Sequence, residues 1–138
     1  MNKAVDARKT ILVVDDVPMI LSAVTDVLEH VGYAVVSGRN GMEGLRLARD
    51  CRPDVILLDL ALPKSSGVDV LDSLKGSAET RDIPVILMTA YAHLLSGSDA
   101  RLAAGVIQKP FNVSELLTLV EQVLSGDRGQ ESLAGGAP

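Results

Sequence analysis

Five short apolar runs constrain this chain more than any other feature: Ile11–Val14, Tyr33–Val36, Val55–Leu58, Pro84–Met88 and Val106–Ile107. They are rich in β-branched residues and do not alternate with polar ones. A strand buried on one face alternates. A strand buried on both faces does not, and burial on both faces is the signature of a parallel sheet. Parallel neighbours cannot be joined by a tight turn and need a crossover, ordinarily a helix. The intervening segments supply it. Ile20, Leu21, Val24, Val27, Leu28 and Val31 recur at helical spacing, with Gly32 as a stop. Leu45 and Ala48 anchor a second helix ending before Pro53, and Val68, Leu71 and Leu74 a third ending near Gly76. Val113, Leu116, Leu117, Val120 and Leu124 make a fifth, stopped at Gly126. The pattern predicts an α/β fold, with right-handed crossovers and helices on both faces of the sheet.

The fourth helix is the weak one. Residues 91–105 read YAHLLSGSDARLAAG. Gly97 sits between two serines, where a continuous helix would lose about 1 kcal/mol relative to Ala. A shortened helix is expected, with Ser98 as N-cap, running through Ala104 with Gly105 just past its end.

Composition narrows the function classes. The 138 residues suit one domain, and 47% hydrophobic against 22% charged is a globular balance. Aromatics are 2% (Tyr33, Tyr91, Phe111), so stacking platforms for single-stranded nucleic acid are not expected. A net charge of −5 argues against a phosphate-backbone binder. One cysteine, Cys51, forms no intramolecular disulfide, which fits a reducing, cytoplasmic compartment. No apolar run approaches the roughly 18 residues of a membrane span. The chain divides into an N-terminal extension (1–8), one folded domain (9–125) and a Gly- and Ala-rich flexible tail or linker stub (126–138).

In a parallel sheet the C-terminal ends of all strands share one edge, and ligands bind there in open α/β folds. Here the first strand ends in Asp15-Asp16, the third in Asp59, the fourth in Thr89 and the fifth in Gln108-Lys109. Three carboxylates, a hydroxyl and an ammonium therefore converge. A divalent cation together with Lys109 balances the three acids, and an all-oxygen site with few protein ligands suits Mg²⁺. A carboxylate between a metal and an ammonium is placed to take a phosphoryl group, because both cations offset charge on the transferring oxygens. The competing structural reading gives Asp16 to capping the helix that begins near Pro18. It accounts for one aspartate and not for the whole set.

The runs ILVVDD, VILLDLALPKSSG, PVILMTA and QKPF, in that order, resemble the receiver domain of bacterial two-component response regulators, over about Lys9 to Leu124. The resemblance implies a flavodoxin-like sheet of order 2-1-3-4-5. It also implies Mg-dependent phosphoryl transfer from a histidine kinase or histidine phosphotransfer protein, and a downstream effector protein as reader. Asp59 matches the phosphoacceptor. Asp15 and Asp16 match the Mg²⁺-holding pair, with the carbonyl of Ala61 as a further ligand. Thr89 matches the hydroxyl that contacts the phosphoryl group, and Lys109 the lysine. Pro110 would follow a cis bond. Ala90 is small, and Pro63 and Gly67 match the turn after the third strand.

Two departures stand out. Receivers usually carry Tyr or Phe three residues before the lysine, and here that residue is Val106; the stretch before Lys109 is also short. The resemblance is to a single-domain receiver, a signalling module and not a metabolic enzyme. Its rival is a receiver-like interaction module that works regardless of phosphorylation. A metal-dependent hydrolase is disfavoured because Ala61 stands where the second acid would be, and a flavin protein because the acidic edge repels its phosphate. With only His30 and His93 and no ligand spacing around them, a zinc site is not expected.

Overall fold

The computed structural model of the protein describes residues 8–62 and 66–126. Most of the expected N-terminal extension (1–7), Pro63 of the expected turn and most of the expected tail (127–138) lie outside the described residues. Each apolar run forms a strand: β1 (Thr10–Val14), β2 (Ala34–Gly38), β3 (Val55–Asp59), β4 (Val85–Thr89) and β5 (Gly105–Gln108). All neighbours pair in parallel, in the order β2-β1-β3-β4-β5. This is the flavodoxin-like order that the resemblance implies. Between the strands run α1 (Pro18–His30), α2 (Gly41–Cys51), α3 (Gly67–Gly76), a 3₁₀ turn (Ala92–Leu94) and α4 (Gly97–Leu102), and α5 (Val113–Leu124) follows β5.

Successive side chains of a strand point to opposite faces, and the core divides accordingly. Ile11, Val13, Leu57, Ile86 and Met88 face α1 (Leu21, Val24, Leu28) and α5 (Leu116, Val120, Val123). Leu12, Val14, Ile56, Leu58, Val85 and Leu87 face α2 and α3 (Ala48, Val70, Leu71, Leu74). β3 and β4 are buried at every residue, which is why their sequences do not alternate. Edge strand β2 is only half-buried over Ala34–Val36.

Local chemistry sets the helix ends. Asn40 caps α2 by accepting the Glu43 N–H, and Asn112 and Glu115 form a reciprocal capping box at α5. Gly32 and Gly126 sit at φ +108° and +97°, where glycine carries no Cβ penalty. Gly67 serves close approach instead: a Cβ there would lie 2.5 Å from the Asp59 carbonyl oxygen and 2.5 Å from Leu60 Cα.

The structure corrects the expected bounds of the fourth helix and the inward face of α5, and decides against the competing reading of Asp16. Ser96, not Ser98, caps α4 by accepting the Asp99 N–H. Gly97 is then the first helical residue, where the helical hydrogen-bond ladder has not begun, so it does not break the helix. The helix stops at Leu102, not Ala104, because the Ala104 N–H is taken by the Val85 carbonyl at 2.8 Å. Gly105 is accordingly the first residue of β5; a Cβ there would meet Leu119 Cδ1 at 3.0 Å. Asp16 caps nothing: Val17 is the α1 N-cap with no side-chain cap bond, and the N–H of Val17 donates to Asp15. In α5, Val113 is 51% exposed and Val123 takes the buried place.

Two glycine substitutions separate packing from chain entropy. Gly67→Ala drives a methyl into backbone that cannot yield and should cost about 1–3 kcal/mol or more. Gly76→Ala meets nothing within 4 Å, and should gain about 0.4–1 kcal/mol by restricting the unfolded chain. Urea denaturation of both variants checks the opposite signs.

Candidate functional site

The strand ends bring the expected residues together. Asp15 follows β1, Asp59 ends β3, Thr89 ends β4 and Lys109 follows β5. Asp15 and Asp59 are 0% and 2% exposed, and Thr89 is also buried. Asp16 faces solvent. One carboxylate oxygen from each of Asp15, Asp16 and Asp59 lies within 4.8 Å of the others; among the described residues this is the one such cluster of His, Cys, Asp or Glu. His30, His93 and the exposed Cys51 take no part in it.

Lys109 reaches into the cluster. Its Nζ donates to Asp15 Oδ2 at 3.1 Å and lies 3.3 Å from Asp59 Oδ1. Its backbone N–H donates to the Thr89 carbonyl at 2.8 Å, and the Lys109–Pro110 peptide is cis. Backbone groups orient the two buried acids. The Val17 N–H donates to Asp15 Oδ1 at 3.0 Å, and the Ala61 N–H to Asp59 Oδ1 at 3.1 Å. Asp15 thus has both oxygens engaged. Asp59 has both the Ala61 hydrogen bond and the Lys109 ion pair on Oδ1, and Oδ2 receives none of the hydrogen bonds among the described residues. The Thr89 hydroxyl oxygen accepts the Tyr91 N–H at 3.0 Å.

Three carboxylates face one ammonium, so the cluster is short of positive charge. Burial pushes the Asp15 carboxyl above the usual range, and the Asp59 charge adds to this; the Val17 N–H and Lys109 pull the other way without cancelling it. The set fits a small hard cation: all donors are oxygens, one is exposed enough to leave room for water, and no soft ligand is present.

Sequence reasoning placed Asp15, Asp16, Asp59, Thr89 and Lys109 on this edge. It named Ala61 for its carbonyl; the structure shows in addition its N–H on Asp59. It did not name the amides of Val17 and Tyr91, because a backbone donor leaves no trace in side-chain identity.

A five-stranded parallel sheet with an acidic cluster and a lysine at its C-terminal edge defines a phosphoacceptor signalling fold, and comparison with known proteins agrees. The sequence profile of the response regulator receiver domain matches residues 11–121. The polar-differentiation response regulator DivK of Brucella anthropi is 38% identical over 120 residues, covering 84% of this chain and 96% of that protein. Among solved structures, the chemotaxis response regulator CheY4 of Vibrio cholerae superposes with a TM-score of 0.79 at 27% identity, over 85% of this chain and 99% of that one. The receiver domain of sensor histidine kinase PA1611 from Pseudomonas aeruginosa, with a magnesium ion coordinated in its active site cleft, gives a TM-score of 0.78 at 27% identity, over 87% and 100%. The chain belongs to the response regulator receiver domain family. Members of this family are signalling modules of two-component systems and not metabolic enzymes.

The raised Asp15 pKa has a defined sign. Between the ordinary carboxylate range and the raised value, the folded protein binds more protons than the unfolded chain, so Asp15 lowers stability progressively as pH rises through that window. Asp15→Asn carries no such dependence. In metal-free buffer the stability of wild type relative to this variant should fall with rising pH across the window and then level off. Thermal melts with a chelator over a pH series check it.

Proposed function

We propose that residues 9–125 form a phosphoacceptor unit in which Asp59 takes a phosphoryl group from a histidine kinase or histidine phosphotransfer protein. The observation that carries this reading is the asymmetry of Asp59. Its Oδ1 is held by the Ala61 N–H and by Lys109, while Oδ2 is left without a donor and available as nucleophile. In the transfer the Oδ2–P bond forms and the P–N bond to the donor imidazole breaks, the imidazole keeping the electron pair. The Lys109 ammonium and the Thr89 hydroxyl donate to phosphoryl oxygens. Asp15, Asp16 and Asp59, with the Ala61 carbonyl, would hold Mg²⁺, which when bound offsets charge on those oxygens.

Beside Lys109 lies an apolar cavity of about 560 Å³, lined in part by Met19, Ile20, Ala23, Ala90, Pro110 and Phe111. An apolar wall next to a charged reaction centre favours a protein donor over a free ion. The output is altered binding of a downstream effector protein, with no direct role for nucleic acid or membrane. Among the described residues no helix is long and apolar enough to cross a membrane, and the reading places the protein in the cytoplasm. Val106 in place of an aromatic favours a second reading, an interaction module indifferent to phosphorylation.

Intact mass after incubation with a small-molecule phosphodonor and Mg²⁺ separates the two. Wild type should gain one phosphoryl group and Asp59→Asn none; labelling of that variant at the wild-type rate would move the acceptor elsewhere. Mg²⁺ should also raise the melting temperature of wild type through binding to the folded state. In Asp16→Ala that gain should shrink, and equal shifts in the two would count against the site.

Ala61 and Tyr91 flank the approach of a hydrolytic water in this reading, and neither offers an acid or amide to orient it. The aspartyl phosphate should therefore be long-lived. The double variant Ala61→Asn with Tyr91→Glu should shorten its half-life, as followed by mass against time; an unchanged half-life rejects the assignment.

A further inference from the structure

The face of the protein formed by α2 and α3 carries a patch that the acidic edge does not use. Between the two helices lies a cavity of about 210 Å³, lined by Met42, Leu45, Asp69, Val70 and Ser73. Its floor is apolar: Val70 is buried and Leu45 half-buried. Met42 stands beside it 82% exposed, and no large hydrophobic side chain among the described residues is more open. An unbranched, polarisable methionine adapts readily to a partner surface. The charges around this centre are sorted by sign. On α2, Arg46 and Arg49 are exposed, four and seven residues on from Met42 and so on its side of the helix. On α3, Asp69 and Asp72 are exposed, one turn apart. None of the four takes part in an ion pair among the described residues, where the ion pairs are those of Lys109. The neighbouring charges are engaged or turned aside. Glu43 accepts the Arg39 N–H at 2.7 Å, and Lys75 donates to the carbonyls of Arg81 and Ile83. Asp50 lies about 140° round α2 from Leu45.

An apolar centre with charge at its rim is the anatomy of a protein interface. A partner of one sign would be attracted by one half of this rim and repelled by the other. A second copy of the chain meets both halves. Turned about a two-fold axis along the groove, its α3 lies over α2 and its α2 over α3, so each positive half faces a negative one. We propose that the α2/α3 face is a homodimer interface, in which Arg46 and Arg49 of each copy pair with Asp69 and Asp72 of the other around the two Met42 side chains. The net charge of −5 per chain opposes association at long range, so the dimer depends on this local match. It does not depend on phosphorylation of Asp59. The sheet separates the α2/α3 face from α1, whose Met19, Ile20 and Ala23 line the cavity beside Lys109, so the dimer leaves that cavity open.

Sedimentation velocity of the full chain at low salt, over a concentration series reaching about 1 mM, reads the association directly. Wild type should pass from monomer to dimer along the series. Arg46→Asp with Arg49→Asp makes the rim wholly negative, and Asp69→Arg with Asp72→Arg makes it wholly positive. All four positions are exposed, so these changes leave the core intact. Each double variant alone should stay monomeric where wild type dimerises. Mixed in equal amounts, the two present opposite rims and should form a heterodimer, which a face elsewhere on the molecule would not produce. A wild type that stays monomeric throughout overturns the proposal. So does a dimer that either reversal leaves unchanged, and so does a mixture of the two variants that stays monomeric.

Discussion

The structure turns on one ammonium set among too many carboxylates. Lys109 comes within 3.3 Å of both buried acids, yet with Asp16 the cluster still carries two more negative charges than positive ones. Unit charges about 4 Å apart interact with about 4 kcal/mol at an effective dielectric of about 20. Such repulsion is large against the whole stability of a domain of this size. It is tolerated because the acids sit on strand ends that cannot separate without dismantling the sheet. The apolar core supplies the constraint, and the edge uses it to hold an excess of negative charge that a bound cation relieves.

The charged residues sit where they do because of the parallel arrangement. β3 and β4 run apolar to a polar last residue, and the apolar run of β1 is followed directly by Asp15, so burial along a strand and function at its tip are read from the same few letters. The strand order makes Asp15 and Asp59 neighbours through β1–β3 pairing and sets Thr89 beside Asp59 through β3–β4 pairing. Lys109 then enters from β5 and spans from the far strand to the first.

This edge was legible in the sequence because side-chain type and strand position were enough to find it. The three-dimensional details that were not legible are carried by backbone groups. Which oxygen of Asp59 stays free depends on the Ala61 amide, and the setting of Asp15 on the Val17 amide. The fourth helix was misjudged for a related reason. Two serines one residue apart are equal candidates for a cap, and the choice of Ser96 follows from where β5 must begin. The Ala104 N–H bonded to Val85 fixes that point. Val113 and Val123 both fit the α5 pattern; only docking onto the sheet shows which lies inward. Asp16 does not cap α1, because the helix starts one residue later, with Val17 in the N-cap position and Pro18, which has no N–H, behind it.

The sheet also acts as a partition. Every apolar side chain of the central strands β1, β3 and β4 belongs either to the α1/α5 layer or to the α2/α3 layer, with the backbone between them. Substitutions in contact couple, and those without shared partners add. A lineage carrying this fold can therefore rework one layer, and the molecular surface outside it, with little need for compensating changes in the other. The acidic edge is where the two layers meet, since Asp15, Asp59 and Thr89 close strands common to both. Drift on the faces is thereby uncoupled from drift at the rim, which leaves one chemistry free to acquire many different exteriors.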